Sequence, residues 1–374
     1  MEKQQKVAAV ICEYNPFHYG HAHQINIMKE RFDVCIGVMS GAFVQRGTIA
    51  THDKYSRAAA AVKAGLDLVV ELPFPYSCSS AADFARSGVH ISSALGANYL
   101  VFGAEDAGDT FSHLAEEKDA IDKRARELIE EDGRLSFPKA LTVAATELGG
   151  DKLGAAISKP NNILGLEYVN AIKNGAYPLE PYPILRKTGL ASSSRLRAKT
   201  DFSGDIPYPE NFTEGRRELK YVERWLIHLL RHGSYTGLYC IDAPLAATLK
   251  RAARNSADLE ETVAAATSKV YTAARIRRAI LAAWLGITTE EVKTLPAYTN
   301  LLAANKRGTD YLGKIKKTLG IAIITKPASY KELSIAKTYE KALAAEDCAM
   351  LCSQKMVKYS SPLCKTPKVH TSKQ

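Results

Sequence analysis

Three histidines and a glycine follow the first apolar run of the chain, and their spacing suits phosphate chemistry. His18, Gly20 and His21 form a His-x-Gly-His motif directly after the loop of residues 15–17, and His23 comes two residues later. An imidazole can hydrogen-bond a phosphate and stabilise charge that develops on it, and a glycine lets the backbone approach a nucleotide closely. We therefore interpret His18 and His21 as catalytic residues that contact nucleotide phosphates.

Two other interpretations of these histidines stay open from the residues alone. His18, His21 and His23 could ligate a metal ion, or they could be structural side chains at the start of a helix. Glu13 is the acidic residue close to them in the sequence, so a metal site here lacks a clear further ligand. We predict no metal ligand in this chain.

A second motif with phosphate chemistry lies in residues 191–197, with the sequence ASSSRLR. The hydroxyls of Ser192 and Ser194 and the free N–H groups of a new helix can hold terminal phosphates, and Arg197 can neutralise them. The alternative is a serine that only caps a basic helix. The pairing of this turn with the histidine motif favours the phosphate interpretation.

Elements that would position these residues alternate along the first hundred residues. Apolar runs that predict buried strands occur at 6–12, 34–39, 66–72 and 99–102, and helical segments occur at 21–31, 53–64 and 79–95. This order predicts an α/β fold with a doubly wound parallel sheet, in which ligands bind beyond the carboxyl ends of the strands. Both motifs are predicted to lie there.

The charge of the chain divides it into two parts. Residues 1–200 hold 23 basic and 23 acidic residues, whereas residues 201–374 hold 27 and 17. The Gly-, Pro- and Asp-rich segment 201–209 predicts a domain boundary. We expect a nucleotide-binding domain at 1–204, with a helical insertion at about 112–150. A mostly helical, basic, RNA-binding domain is expected at 205–374, with a disordered tail from about 360.

Composition narrows the class of protein. No apolar run reaches the roughly 18–20 residues of a membrane helix, so no membrane is expected as a partner. The seven scattered cysteines fit reduced thiols, and Cys348, Cys352 and Cys364 lack a convincing zinc spacing. These features predict a cytoplasmic protein, and nothing in the sequence indicates an oligomeric state.

Several longer strings together resemble one family. The His-x-Gly-His motif and the serine-rich turn are similar to the signatures of HIGH-type nucleotidyltransferases. The chain as a whole resembles the bacterial tRNA(Met) cytidine acetate ligases, through EYNPFHYGH (13–21), VMSGAFVQRG (38–47), DKYSRAAAAVKAGLDLVVELP (53–73), FGAED (102–106), SFPKA (136–140), KPNNILGLEY (159–168) and the region 295–326. Small departures, such as Ala42 before FVQRG, leave this order intact.

The resemblance implies an activity and a set of binding residues. ATP and acetate would form acetyl-adenylate and pyrophosphate, and the acetyl group would pass to the wobble cytidine of elongator tRNA(Met), giving N(4)-acetylcytidine. Of Asn161 and Asn162, we favour Asn162 as a nucleotide contact. The implied ATP-binding set is Val10, Ile11, Cys12, Glu13, Tyr14, Asn15, Pro16, Phe17, His18, Tyr19, Gly20, His21, Ala22, His23, Gly103, Asn161, Asn162, Arg186, Ser192, Ser194 and Arg197.

Partners follow from the charge and from the resemblance. Mg²⁺ is expected with ATP, to neutralise the pyrophosphate. The basic residues that we assign to RNA are Arg46, Lys306, Arg307, Lys314, Lys316 and Lys317. One rival hypothesis is an adenylyltransferase that acts on a small phosphorylated cofactor precursor. Another is a non-catalytic RNA-binding protein that retains a nucleotide fold.

Overall fold

The chain folds around one central sheet with helices on both faces. The computed structural model describes residues 5–106, 108–187, 189–190, 192–199, 201–212, 215–316, 318–332, 335–353 and 366–370. The strands are β1 (Val7–Cys12), β2 (Val34–Ser40), β3 (Phe43–Val44), β4 (Thr48–Ile49), β5 (Leu68–Leu72), β6 (Tyr99–Ala104), β7 (Glu180–Leu185), β8 (Tyr298–Asn305), β9 (Ala322–Ile324) and β10 (Lys368–His370).

Fourteen α-helices connect and cover these strands in the described residues. They are α1 (Tyr19–Arg31), α2 (Lys54–Ala64), α3 (Ala81–Ala94), α4 (Gly108–Glu131), α5 (Phe137–Ile157), α6 (Pro160–Asn174), α7 (Ser193–Arg197), α8 (Glu223–His232), α9 (Ala243–Asn255), α10 (Leu259–Ala266), α11 (Ala273–Leu285), α12 (Thr289–Lys293), α13 (Lys306–Ile315) and α14 (Ala336–Leu351). None of these helices is long and apolar enough to cross a membrane.

The central sheet has the order β10-β8-β5-β2-β1-β6-β7, with β9 beside β8. The five strands from β5 to β7 pair in parallel, as the continuous apolar runs predict. One face packs against α3, α6 and α13 through residues such as Phe84, Tyr168 and Tyr311. The other face packs against α1 and α2 through Ile25 and Ala58. The predicted α/β fold with a mostly parallel sheet is confirmed.

Helix starts place polar side chains at the carboxyl edge of the sheet. His18 caps α1, Asp53 caps α2, Ser80 caps α3 and Ser192 caps α7, in each case by accepting a hydrogen bond from a backbone N–H of the first turn. Such caps stabilise helix ends by about 1 kcal/mol each. The first and the last of these caps, His18 and Ser192, lie in the two motifs that were predicted to carry chemistry.

The C-terminal half contributes more to the sheet than the sequence indicated. β8 was not predicted, and it pairs antiparallel with β5, whereas β9 pairs in parallel with β8. The division of the chain at residue 204 stays a prediction, but the sheet takes three strands from beyond it.

The predicted disordered tail is wrong for part of its length. Residues 354–365 and 371–374 lie outside the described residues, but β10 pairs in parallel with β8. Sheet pairing uses backbone groups, so a polar segment such as residues 368–370 can add an edge strand without an apolar pattern.

Candidate active site

A wide cleft lies beyond the carboxyl ends of β1, β6 and β7 and reaches the loop after β2. Its volume of about 970 Å³ lies at the upper end of the roughly 300–1,000 Å³ of a typical small-molecule pocket. Predicted ATP contacts that line it are Val10, Ile11, Cys12, Glu13, Tyr14, His18, Gly20, His21, His23, Gly103, Asn161, Arg186, Ser192, Ser194 and Arg197. The space suffices for a nucleotide and a second substrate.

The two motif histidines are locked together at the start of α1. The backbone N–H of Gly20 donates to His18 Nδ1 at 3.0 Å, and the backbone N–H of His18 donates to His21 Nδ1 at 3.3 Å. The rings stack with 3.6 Å between centroids. Because each Nδ1 accepts a hydrogen bond, each neutral ring carries its proton on Nε2.

Burial keeps both imidazoles uncharged. It lowers the pKa of His18 to about 4, and the positive charges of Arg186 and Arg197 act in the same direction. The pKa of His21 also lies well below its usual value, first because of burial and then because of His18 and Arg186. At neutral pH the pair therefore offers two N–H donors beside cationic arginines, a combination that suits phosphate oxygens.

Arg197 connects the second motif to the first. Its guanidinium donates to the carbonyl oxygen of Asn15 at 2.7 Å and to Ser194 Oγ at 3.1 Å. The N-cap Ser192 accepts from the backbone N–H of Arg195. The structure thus brings the two predicted phosphate motifs to the same cleft, although they are far apart in the sequence.

Gly103 and the two asparagines lie at the end of β6. Asn161 lines the cleft, and its Nδ2 donates to Glu105 Oε1 at 2.7 Å. Asn162 is fully buried; it accepts from the Glu105 N–H at 2.9 Å and donates to the Ala156 carbonyl at 3.1 Å. The structure therefore places Asn161 on the cleft and gives Asn162, the residue favoured from the sequence, a structural position.

Other predicted ATP contacts support the first loop from behind. Asn15 and Phe17 are almost fully buried, whereas Tyr19 is half exposed. The side chain of Asn15 accepts from the backbone N–H of Thr51 at 2.8 Å, so it ties the loop to the β4–α2 connection. The predicted residues that do not line the cleft are Asn15, Pro16, Phe17, Tyr19, Ala22 and Asn162.

The predicted RNA-binding residues divide between two edges of the sheet. Arg46 lines the cleft. α13 begins at the opposite edge, because β8 runs antiparallel to β5: Arg307 donates to the Asp33 carbonyl before β2, and Tyr311 donates to the Leu95 carbonyl before β6. The structure therefore keeps Lys306, Arg307, Lys314 and Lys316 away from the cleft, and Lys317 lies outside the described residues.

Arg57 is a structural residue of the site that the sequence did not reveal. A spacing of four residues, as between Asp53 and Arg57, is typical of an ordinary ion pair on a helix surface. The side chain is instead completely buried. It donates to the carbonyl oxygens of His52 (3.1 Å), Glu13 and Gly41, so it joins the ends of β1 and β2 to the start of α2.

Two arginines of α11 also line the cleft, and the sequence did not reveal them. Arg277 and Arg278 of α11 line the cleft, and Arg278 donates to the Gln45 carbonyl at 3.2 Å. Gly47 has φ +75, and a Cβ there would lie 2.4 Å from the backbone nitrogen of Arg278. Glycine at this position therefore allows the FVQRG loop to contact α11 directly.

A buried neutral histidine beside the site predicts acid sensitivity. Burial lowers the pKa of His52 from 6.5 to about 4. As pH falls from 6.5 to 4 the unfolded chain takes up this proton first, so the contribution of His52 to stability is lost. Between pH 7.5 and 5.0 the free energy of unfolding should fall by about 2 kcal/mol for His52 alone. Urea unfolding at both pH values measures this, and His52→Asn should reduce the pH-dependent difference by that amount. An unchanged difference in the variant would contradict the neutral state of His52.

Comparisons with known proteins agree with this geometry. A family model described as HIGH Nucleotidyl Transferase matches residues 5–204 and 213–361. A tRNA(Met) cytidine acetate ligase of Limosilactobacillus reuteri is 33% identical over 349 residues, which cover 86% of this chain and 90% of the relative. One of Thermoanaerobacter sp. (strain X514) is 32% identical over 379 residues, which cover 91% and 94%.

A solved structure shares the fold. The crystal structure of Thermotoga maritima TmcAL bound with alpha-thio ATP superimposes with a TM-score of 0.89 at 23% identity, covering 98% of this chain and 100% of that one. Because the family model and the relatives match most of the sequence, the chain belongs to the HIGH nucleotidyl transferase family and, within it, to the tRNA(Met) cytidine acetate ligases.

Proposed function

We propose that this protein is an ATP-dependent ligase that acetylates the wobble cytidine of elongator tRNA(Met) to N(4)-acetylcytidine. The observation that carries the proposal is the meeting of two phosphate-binding motifs in one cleft of a chain whose relatives bear that name. The cleft also extends from the phosphate motifs to Arg277 and Arg278 of α11, as a reaction with an RNA substrate requires.

The first step joins acetate to AMP. A carboxylate oxygen of acetate attacks the α-phosphorus of ATP, the α–β bridging P–O bond breaks, and pyrophosphate leaves. His18 and His21 donate from Nε2 to phosphate oxygens, and Ser192, Ser194 and Arg197 hold the departing phosphates. Arg186 and Asn161 position the rest of the nucleotide.

The second step transfers the acetyl group. The exocyclic amine of the cytidine attacks the acetyl carbon, a proton leaves the nitrogen, and AMP departs with the bond electrons. An anticodon base must be unstacked to bring its amine into the cleft. No covalent enzyme intermediate is required in either step, which agrees with the raised pKa of the buried Cys12 thiol at the cleft.

Mg²⁺ accompanies ATP in this proposal. No group of three metal-ligating side chains occurs in the part of the chain that the structure describes. The carboxylates that line the cleft, Glu13 and Glu105, are of a class that Mg²⁺ accepts, and Glu105 Oε2 is buried without a hydrogen-bond partner. The cytoplasm is the proposed compartment, in keeping with the free thiols of the six described cysteines.

The proposed RNA contacts at the cleft are Arg46 and Arg277, which both line it. Arg277 pairs with Glu260 at 2.8 Å, and its side chain keeps 30% of its surface exposed. Phosphates of the tRNA would compete for it.

Arg277→Gln should therefore weaken tRNA(Met) binding more than Lys306→Gln, which changes a cation at the opposite edge of the sheet. Filter binding between about 50 and 200 mM salt should show a salt slope reduced by about one in the Arg277 variant. Equal effects of the two variants would contradict a tRNA path across α11.

Incubation with labelled acetate, ATP and Mg²⁺ tests the proposed function. Label in tRNA(Met), and in the N(4)-acetylcytidine of its nuclease digest, is the expected result. Pyrophosphate release that needs a phosphorylated cofactor precursor instead of acetate would establish the adenylyltransferase. Binding of tRNA without any pyrophosphate release would establish the non-catalytic RNA-binding protein.

A further inference from the structure

The cleft has an apolar floor on the side of β1 that faces α3 and α6. Ile11, Phe84, Phe102 and Tyr168 line it, and each side chain is less than one-tenth exposed. The rings of Phe102 and Tyr168 lie 5.8 Å apart. The phosphate motifs lie on the other side of the β1 end, where α1 begins, so the floor is separate from them.

One polar atom reaches this floor without a partner. No described residue hydrogen-bonds the hydroxyl of Tyr168. The hydroxyls of Tyr14 and Tyr298 are fully buried and have no hydrogen-bond partner. The Tyr168 hydroxyl differs from them because it keeps some exposed surface, and this surface faces the cleft that Tyr168 lines. Burial raises its pKa, and the charges of Cys12 and Glu13 raise it further, which places this neutral O–H donor near the end of β1.

Helix glycines fix the walls of this floor. A Cβ at Gly165 would lie 2.7 Å from the ring of Phe102, and a Cβ at Gly88 would lie 2.6 Å from Ile11 Cδ1. The backbones of α6 and α3 therefore pack directly against Phe102 and Ile11, and this close packing restricts movement of the floor side chains. A rigid apolar surface with one donor suits a ligand with one short alkyl group and an oxygen acceptor.

We propose that Ile11, Phe84, Phe102 and Tyr168 form the subsite for the short carboxylic acid, with the methyl group on the aromatic floor and a carboxylate oxygen accepting from the Tyr168 hydroxyl. This inference rests on the proposed function and adds the basis of its choice of acid. The position beside the β1 end leaves the second carboxylate oxygen free to attack the α-phosphate.

Acid-dependent ATP–pyrophosphate exchange tests the subsite. Tyr168→Phe should raise KM for acetate about tenfold while KM for ATP stays constant, because a hydrogen bond to a charged oxygen is lost. Phe84→Leu should shift the ratio of kcat/KM for propionate over acetate upward by about tenfold, since one extra methylene is discriminated by roughly 10–200-fold in such pockets. Tyr311→Phe is the matched control, because its hydroxyl bonds the Leu95 carbonyl at the other edge of the sheet; it should change neither KM.

The outcomes separate this inference from the proposed function. A Tyr168→Phe enzyme with unchanged KM for acetate, or with KM for ATP raised equally, overturns the subsite while the ligase activity stands. Wild-type exchange that depends on no short carboxylic acid overturns the proposed function and the subsite with it.

Discussion

Replacing His21 by alanine is expected to lower kcat for acetate-dependent ATP–pyrophosphate exchange by about 10²–10³-fold, the usual loss when one preorganised donor to developing charge is removed. His21 is buried and neutral, and its Nδ1 accepts from the His18 backbone, so the proton on Nε2 is its contribution to the phosphates. Initial rates of exchange under saturating ATP and acetate measure the effect.

A second substitution separates this role from helix capping. His21→Asn can still accept from the His18 backbone, whereas His21→Ala cannot, so only alanine should cost about 1 kcal/mol of stability. Both variants should lose kcat. His90→Gln is the control, because His90 bonds Tyr177 on the outside of α3. Activity above half of wild type in the folded alanine variant would rule out His21 as a phosphate donor.

Arg57→Met is expected to lower the free energy of unfolding by about 3–5 kcal/mol. The substitution leaves three carbonyl oxygens at the site without their donor, and each was taken from water when the chain folded. Burial lowers the pKa of Arg57 only to about 10, so the guanidinium is still charged at neutral pH. Urea unfolding at pH 7.5 measures the loss.

The matched control lies on the same helix. Lys63→Met removes a cation whose side chain is 44% exposed and should cost less than about 1 kcal/mol. Arg57→Lys should recover part of the loss, since one ammonium cannot reach three carbonyls in three directions. A loss for Arg57→Met no larger than that for Lys63→Met would show that the three hydrogen bonds do not hold the strand ends together.

The sequence predicted those parts of the site in which a motif directly follows a strand or begins a helix. The apolar run before His18, and the serine-rich turn before Arg197, give both the residue types and their edge of the sheet. The sequence favoured Asn162 over Asn161, but it does not show in which direction each of two neighbouring side chains at a helix start points. The tertiary structure buries Asn162 and places Asn161 on the cleft.

Long-range packing explains the remaining misses. Arg57 has an ordinary surface spacing, and its burial depends on strand ends brought together from elsewhere in the chain. The basic composition of α13 led to its assignment as an RNA-binding helix. Because β8 runs antiparallel to β5, α13 begins at the edge of the sheet opposite the cleft. Arg277 stands at the cleft because α11 contacts the FVQRG loop at Gly47, and no local pattern reports such a contact.

The antiparallel strand β8 also affects how the chain folds during its synthesis. Leu68, Val69 and Val70 of β5 are fully buried, and β8 covers that edge of the sheet. During synthesis the ribosome must release residues up to Asn305 before this apolar edge can be covered, and exposed edges of this kind recruit other chains. The nascent N-terminal half is therefore expected to depend on chaperones or on rapid elongation, and a fragment that ends at residue 204 should aggregate.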